Sequence, residues 1–197
     1  MLFFFFFSHH IVRENQEPAL VILNAHAIPL ERVQELLEWM PIIVVLHSQI
    51  EIVVGWGIKI DVVLVPAGEE EIWIDRTKDQ YPIEIVSFSI NEIPLSKAIE
   101  ILAARHIPAM NVLASDENTL STLEEFTGDV EAFFESKRWS RIKSGRFEKW
   151  IAAGTMLFVL PENVHTKIPQ LVNGKLVAKQ DGILTLQGEQ SFWVGEW

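Results

Sequence analysis

The sequence predicts an α/β fold: a mostly parallel sheet with helices, followed by a small C-terminal antiparallel β domain. In the first half of the chain, short apolar runs alternate with amphipathic stretches, as expected for strands joined by crossover helices. From about Val130 onward the pattern changes to short β runs separated by turns. The chain has 197 residues, 49% of them hydrophobic, which is enough to bury a full core.

The elements of the first half follow from the spacing of apolar residues. The predicted strands are 19–23, 42–46, 60–65, 83–88 and 110–113, and the predicted helices are 30–39, 50–56 and 94–105. Val33 and Leu37 share one face of the first helix. Pro66 stops the third strand, and Pro94 can begin the last helix because a first-turn residue needs no N–H partner. Ligands of such sheets bind beyond the carboxyl ends of the strands.

The second half reads as an antiparallel β region. Its predicted strands are 130–134, 140–142, 156–160, 171–172, 176–178, 183–186 and 192–194, with an Asn173-Gly174 turn after the fourth. No Gly/Ser-rich linker marks the boundary, which we place within 128–145. The predicted domains are 1–128 and 129–197.

Charge and composition exclude several classes of protein. The 27 acidic and 16 basic residues give a formal net charge of -11, which repels phosphate backbones and anionic lipid. We therefore expect neither nucleic acid nor a membrane as a partner. The absence of Cys argues against a disulfide framework, so a cytoplasmic location is the default expectation. Phe3 to Phe7 is too short for a membrane span and is expected to pack on the domain or in a subunit contact.

Four segments follow one another along the chain: Ile22-Leu23-Asn24, Gly57-Ile58-Lys59-Ile60-Asp61-Val62-Val63, Lys97-Ala98, and Gly154-Thr155 leading into Met156 to Pro161. In this order they resemble segments of the thiamine pyrophosphokinase family. The resemblance implies a Rossmann-like ATP domain followed by a thiamine-binding β-sandwich domain. It also implies a homodimer that transfers a diphosphoryl group from ATP to thiamine, with Mg²⁺ held by Asp residues.

The acidic motifs of that family are substituted at the strand-end loops. His47-Ser48-Gln49 stands where the family has Asp-Gly, and Val65 to Glu69 stands where it has Gly-Asp-Phe-Asp-Ser. Ser89 to Pro94 and the stretch around Asp116 to Thr119 replace two further motifs. These substitutions therefore predict a kinase scaffold whose magnesium site is lost, and no residue is assigned to a metal.

Other residues at the strand ends are candidates for a site. Glu69, Glu70, Glu71 and Glu92 could converge and bind a cation, although a solvated acidic loop is the alternative. Candidates for catalysis are Glu69, Glu92 and His47; candidates for substrate or nucleotide binding are Asn24, His47, Ser48, Gln49, Lys97 and Trp193. Trp193 could stack on a thiamine-like cationic ring, or it could simply pack in the core.

Two functions remain open. The first is a divergent thiamine pyrophosphokinase whose activity, with ATP and Mg²⁺ as cofactors, is lost or much reduced. The second is a non-catalytic, homodimeric small-molecule-binding or scaffold protein on the same fold. The substituted carboxylates favour loss of catalysis.

Overall fold

The computed structural model describes residues 17–160, 165–166 and 174–197. The Phe3 to Phe7 run, the predicted strand 171–172 and Asn173 of the predicted turn lie outside these residues. The strands are β1 Ala19–Ile22, β2 Ile42–Leu46, β3 Val62–Pro66, β4 Glu84–Phe88, β5 Ala109–Leu113, β6 Asp129–Phe134, β7 Lys137–Ile142, β8 Arg146–Ile151, β9 Met156–Leu160, β10 His165–Thr166, β11 Lys175–Val177, β12 Gly182–Gln187 and β13 Phe192–Glu196. The α-helices are α1 Leu30–Leu37, α2 Ile50–Gly55, α3 Glu70–Arg76, α4 Pro94–Ala104 and α5 Thr119–Leu123.

Most strands belong to one mixed sheet. Its ten strands lie in the order β11-β9-β13-β7-β6-β5-β1-β2-β3-β4. The six neighbouring strands β6, β5, β1, β2, β3 and β4 pair in parallel. From β6 through β7, β13 and β9 to β11, neighbouring strands pair in antiparallel fashion. A second sheet has the order β10-β12-β8. The predicted α/β architecture, with a parallel sheet first and antiparallel strands at the C-terminus, is confirmed.

The sheet continues across the predicted domain boundary. β6 begins at Asp129 and pairs in parallel with β5, with Asp129 opposite Ala109. It then pairs with β7 in antiparallel fashion. Backbone hydrogen bonds therefore link the two predicted domains. Their division into 1–128 and 129–197 stays a prediction.

Apolar residues on both faces of the parallel strands form the core. All four residues of β1 are fully buried, because helices cover the sheet on both sides. Leu95, Ala98 and Leu102 of α4 pack on one face, and Val33 of α1 packs on the other. A third apolar cluster, which includes Leu157 and Leu184, lies between the two sheets of the C-terminal part.

Some elements differ from the prediction. The acidic stretch after β3 is not a loop, because Glu70 and Glu71 form the first turn of α3, which buries Trp73 against the sheet. The sequence did not indicate β8, four of whose six residues are exposed and which is held by pairing with β12. In the described residues, no helix is long and apolar enough to cross a membrane.

Candidate functional site

A cavity of about 310 Å³ opens at the carboxyl ends of β1, β2 and β5. This is the edge of a parallel sheet at which ligands bind in open α/β folds. The residues that line the cavity are Leu23, Leu46, Ile93, Pro94, Leu95, Ser115, Asp116, Asn118, Thr119 and Thr122. They come from the loop after β1, from the last residue of β2, from the starts of α4 and α5, and from the loop after β5.

The cavity has an apolar wall and a polar rim. Leu23, Leu46 and Leu95 form part of the wall, and Leu95 is only 2% exposed. Hydroxyl groups come from residues such as Ser115 and Thr119. Asp116 is the one charged residue among the described residues that line the cavity. Such a lining suits a small molecule with an apolar body.

The acidic candidates after β3 bind groups of their own segment. The Glu69 carboxylate accepts a 3.0 Å hydrogen bond from Nε1 of Trp73, one turn further along α3. The Glu70 carboxylate accepts a 2.8 Å bond from the Gly68 N–H. A hydrogen bond from its own backbone N–H, with further bonds from the Ser87 hydroxyl and Gly68, holds the pKa of Glu70 below its usual 4.5. Glu71 is exposed on α3.

The candidates near α4 are also engaged locally. The Glu92 carboxylate accepts a 3.1 Å bond from the backbone N–H of Ser89. Nζ of Lys97 lies 2.7 Å from the Glu100 carboxylate in an i,i+3 pair. The hydrogen bond that Lys97 donates to the Glu100 carboxylate, with the charges of Glu100 and Glu92, raises the pKa of Lys97 above its usual 10.5. Neither Glu92 nor Lys97 lines the cavity.

The structure brings His47 next to the side chain that binds Glu69. The His47 and Trp73 ring centroids are 5.3 Å apart in an edge-to-face arrangement. The ring centroid of Phe88, at the end of β4, lies 6.4 Å from that of His47. His47 and Glu69 therefore meet the same indole at the ends of β2 and β3. Ser48, beside His47, is exposed.

The remaining candidates make structural hydrogen bonds or pack in the core. The Gln49 side-chain oxygen accepts a 2.9 Å bond from the backbone N–H of Ala25, which joins the loops after β1 and β2. The Asn24 side-chain oxygen accepts a 3.0 Å bond from the His26 N–H, forming an Asx turn. Trp193 is 4% exposed in the core. A binding role for any of them stays a prediction.

The donor groups at this edge do not fit Mg-ATP. Magnesium requires several oxygen ligands in an octahedral arrangement, and triphosphate requires cations or free backbone N–H groups. In the part of the chain that the structure describes, no three His, Asp or Glu side chains form a group that could hold a metal. Glu69, Glu70 and Glu92 are bound to separate local donors, and none of them lines the cavity.

None of the residues predicted for catalysis or binding lines the cavity. Asp116 to Thr119 attracted attention only as the replacement of an acidic motif. Leu46 ends β2, Leu23 directly follows β1 and Ser115 lies two residues after β5, so the rule that ligands bind at carboxyl ends could have found them. Apolar and hydroxyl side chains, however, form no recognisable sequence motif, so the sequence did not indicate them as ligand-binding residues.

Fold and cavity define a Rossmann-like α/β protein with an antiparallel extension. Solved thiamine pyrophosphokinases share this fold. The enzyme from Bacillus subtilis superposes with a TM-score of 0.64, over 90% of this chain and 97% of that one, at 8% sequence identity. The yeast enzyme superposes with a TM-score of 0.66, over 94% of this chain and 87% of that one, at 8% identity. The Geobacillus thermodenitrificans enzyme has a TM-score of 0.63, over 90% of this chain and 95% of that one, at 11% identity.

The chain therefore has the thiamine pyrophosphokinase fold, as its motifs predicted. No protein-family pattern and no curated protein sequence matches it. The similarity lies in three-dimensional structure, because identities of this size carry little sequence information about a site.

Proposed function

We propose that this chain is a small-molecule-binding protein on the thiamine pyrophosphokinase fold, in which diphosphoryl transfer to thiamine is lost or much reduced. The observation that carries the proposal is the local use of the strand-end carboxylates. Glu69 binds Trp73, Glu70 binds the Gly68 N–H and Glu92 binds the Ser89 N–H.

Phosphoryl transfer makes demands that these bonds oppose. Catalysis rests on positioning the phosphates and on neutralising their charge with metal ions held by open carboxylates. A carboxylate that accepts a hydrogen bond from its own loop is oriented by that bond, and only its remaining lone pairs are available to a metal. Glu69 and Glu70 lie together at the start of α3, whereas Glu92 lies between β4 and α4, so a shared cation would have to draw side chains from two separate segments.

A second candidate function is residual kinase activity. It is favoured by the overlap with nearly the whole length of the Bacillus subtilis enzyme. His47 and Glu69 would then be the groups nearest to the chemistry, because both contact Trp73 at adjacent strand ends.

Calorimetry with Mg-ATP separates the two functions. We expect no binding at millimolar concentrations and no thiamine diphosphate formed from thiamine and Mg-ATP. A micromolar affinity or steady formation of product would overturn the proposal. Were product to form, Glu69→Gln should abolish it, whereas Glu38→Gln, at the exposed C-terminal end of α1, should leave it unchanged.

Ligand binding itself is tested by tryptophan fluorescence during titration with thiamine. Retention of a thiamine-like ligand predicts a saturable change. An unchanged signal up to millimolar thiamine would exclude this ligand while leaving the loss of catalysis standing.

We propose further that the protein is a cytoplasmic homodimer. Sizing chromatography with light scattering should give twice the 22.5 kDa of one chain. A mass of one chain would exclude the dimer, and recovery from a membrane fraction after cell lysis would exclude the location.

A further inference from the structure

We infer that the strand-end cavity takes an uncharged or positively charged organic molecule and rejects phosphorylated ones. The inference rests on the proposed function, in that it assigns the ligand class of the same cavity. It departs from the use of this sheet edge for ATP, which the family resemblance implies.

The lining of the cavity favours a cation over an anion. Of the described residues around the cavity, Asp116 alone has a charged side chain, and it is acidic. Lys97, on the helix that begins at the cavity, does not line it and is paired with Glu100 at 2.7 Å. An anion entering the cavity would lose water without gaining a cationic partner.

The start of α4 offers few donors to an anion. Helix N-termini attract phosphate through free backbone N–H groups of the first turn. Here the first residue is Pro94, which has no N–H. The N–H groups of Ser96 and Lys97 donate to the carbonyl oxygen of Ile93, at 2.9 and 3.4 Å. Most of the first turn is therefore without a donor for a ligand.

The start of α5 is likewise closed to an anion. The Asp116 carboxylate accepts a 2.9 Å bond from the Asn118 N–H, and the Asp116 carbonyl oxygen accepts a 3.4 Å bond from the Thr119 N–H. The Leu120 N–H donates to the Glu117 carbonyl oxygen at 3.0 Å. Asp116 thus accepts hydrogen bonds from two of these three N–H groups and adds a negative charge at the rim, which favours a cation.

The size of the cavity limits the ligand. Its volume of about 310 Å³ is at the low end of the range for small-molecule sites, roughly 300–1,000 Å³. The wall of Leu23, Leu46 and Leu95 suits one apolar ring, and the hydroxyl groups at the rim suit one polar substituent.

Three probes with the same ring and different charge test the inference. Benzyl alcohol, benzylamine and benzyl phosphate are titrated into the full-length protein with methyl-labelled leucine, and the resonances of Leu23, Leu46 and Leu95 are followed by NMR. The alcohol and the amine should shift these resonances in a saturable way, and the phosphate should not. Binding of the phosphate at equal or lower concentration would overturn the inference, as would binding by none of the three.

A charge-removing variant sharpens the test. Asp116→Asn keeps a side-chain oxygen for the Asn118 N–H but removes the charge. It should weaken the binding of benzylamine by about two- to fivefold, the range expected for a solvent-exposed charge pair, and leave the affinity for benzyl alcohol unchanged. Asp75→Asn, on the exposed side of α3 and away from the cavity, is the matched control and should change neither.

An equal loss for both probes, or unchanged benzylamine binding in Asp116→Asn, would count against the role of the charge. The NMR titrations contain no ATP and no metal. Their failure is therefore distinct from failure of the proposed loss of catalysis, which is judged by Mg-ATP binding and product formation alone.

Discussion

The indole Nε1 of Trp193 donates a 2.7 Å hydrogen bond to the carboxylate of Glu124. This bond joins β13, near the end of the chain, to the residue that follows α5. Arg141 of β7 lies 3.9 Å from the same carboxylate and donates to the carbonyl oxygens of Leu123 and Phe126, at 2.7 and 2.6 Å. These residues form a polar link between the parallel and antiparallel parts of the sheet.

Removal of the Glu124 carboxylate should destabilise the protein. Glu124→Ala leaves the Trp193 N–H, on a residue that is 4% exposed, without its acceptor. We expect the free energy of unfolding in urea to fall by about 1–3 kcal/mol, the cost of an unsatisfied buried donor. Glu124→Gln retains an acceptor and should lose less. Equal losses in the two variants would show that the hydrogen bond is not the cause.

Gly195 packs directly on an indole ring. A Cβ atom at Gly195 would lie 3.0 Å from three ring atoms of Trp139. Trp139 cannot easily move away, because it stacks on Phe134 with ring centroids 5.4 Å apart. Gly195→Ala should therefore lower the free energy of unfolding by about 1–3 kcal/mol through overpacking.

Gly55 provides the matched control for that substitution. It lies in α2, and a Cβ atom there would meet nothing within 4 Å. Gly55→Ala should raise the free energy of unfolding by about 0.4–1 kcal/mol, because alanine reduces the entropy of the unfolded chain. A loss of stability at Gly55, or none at Gly195, would contradict this account of the packing.

Glu70 should make stability depend on pH. Its pKa is lowered in the folded protein by hydrogen bonds from its own backbone N–H, from Ser87 and from Gly68. A lowered folded-state pKa contributes stability that is present above the usual 4.5 and is lost as the pH falls through the folded-state value. The difference in unfolding free energy between wild type and Glu70→Gln should thus shrink below pH 4.5.

The Ser87 hydroxyl gives an internal check on that pH dependence. Ser87→Ala removes one of the groups that lower the pKa of Glu70, so it should reduce the pH-dependent difference in the same urea titrations. An unchanged or larger difference in the Ser87→Ala background would argue that other carboxylates are responsible.

Gln49 should matter for stability more than for ligand binding. Its side-chain oxygen satisfies the N–H of Ala25, a residue that is 2% exposed, and it does not line the strand-end cavity. Gln49→Ala should cost about 1–3 kcal/mol in urea unfolding, whereas Gln49→Glu keeps the acceptor. Benzylamine binding at the cavity should persist in Gln49→Glu; its loss would place Gln49 in the ligand site.

Sequence reasoning found the parallel strands because their pattern is local. Runs such as Ile42 to Leu46 are apolar throughout, since strands covered on both faces have no polar side. It missed β8, because Arg146–Ile151 mixes charged and apolar residues without a regular alternation. It also read the start of α3 as a loop, although the burial of Trp73 supports a helix there.

The candidate site was predictable in position but not in composition. The strand-end rule located the edge of the sheet, and the substituted acidic motifs are visible in the chain itself. Which of these side chains line a cavity depends on the angles at which the loops leave the strands. His47, Glu69 and Glu92 come from the predicted loops, yet the cavity lies among Leu23, Leu46 and the start of α4.

The sequence by itself determined the parallel strands β1 to β5, the helices α1, α2 and α4, the excess of negative charge and the residue types that stand at the strand ends. These properties follow from residue types and from contacts between near neighbours. Only the tertiary structure decided that the sheet continues from β5 into β6, that Glu124 binds Trp193 and that the strand-end cavity has no basic lining among its described residues. The physical reason is distance along the chain: Trp193 and Glu124 are separated by 69 positions, and no local pattern records such a contact.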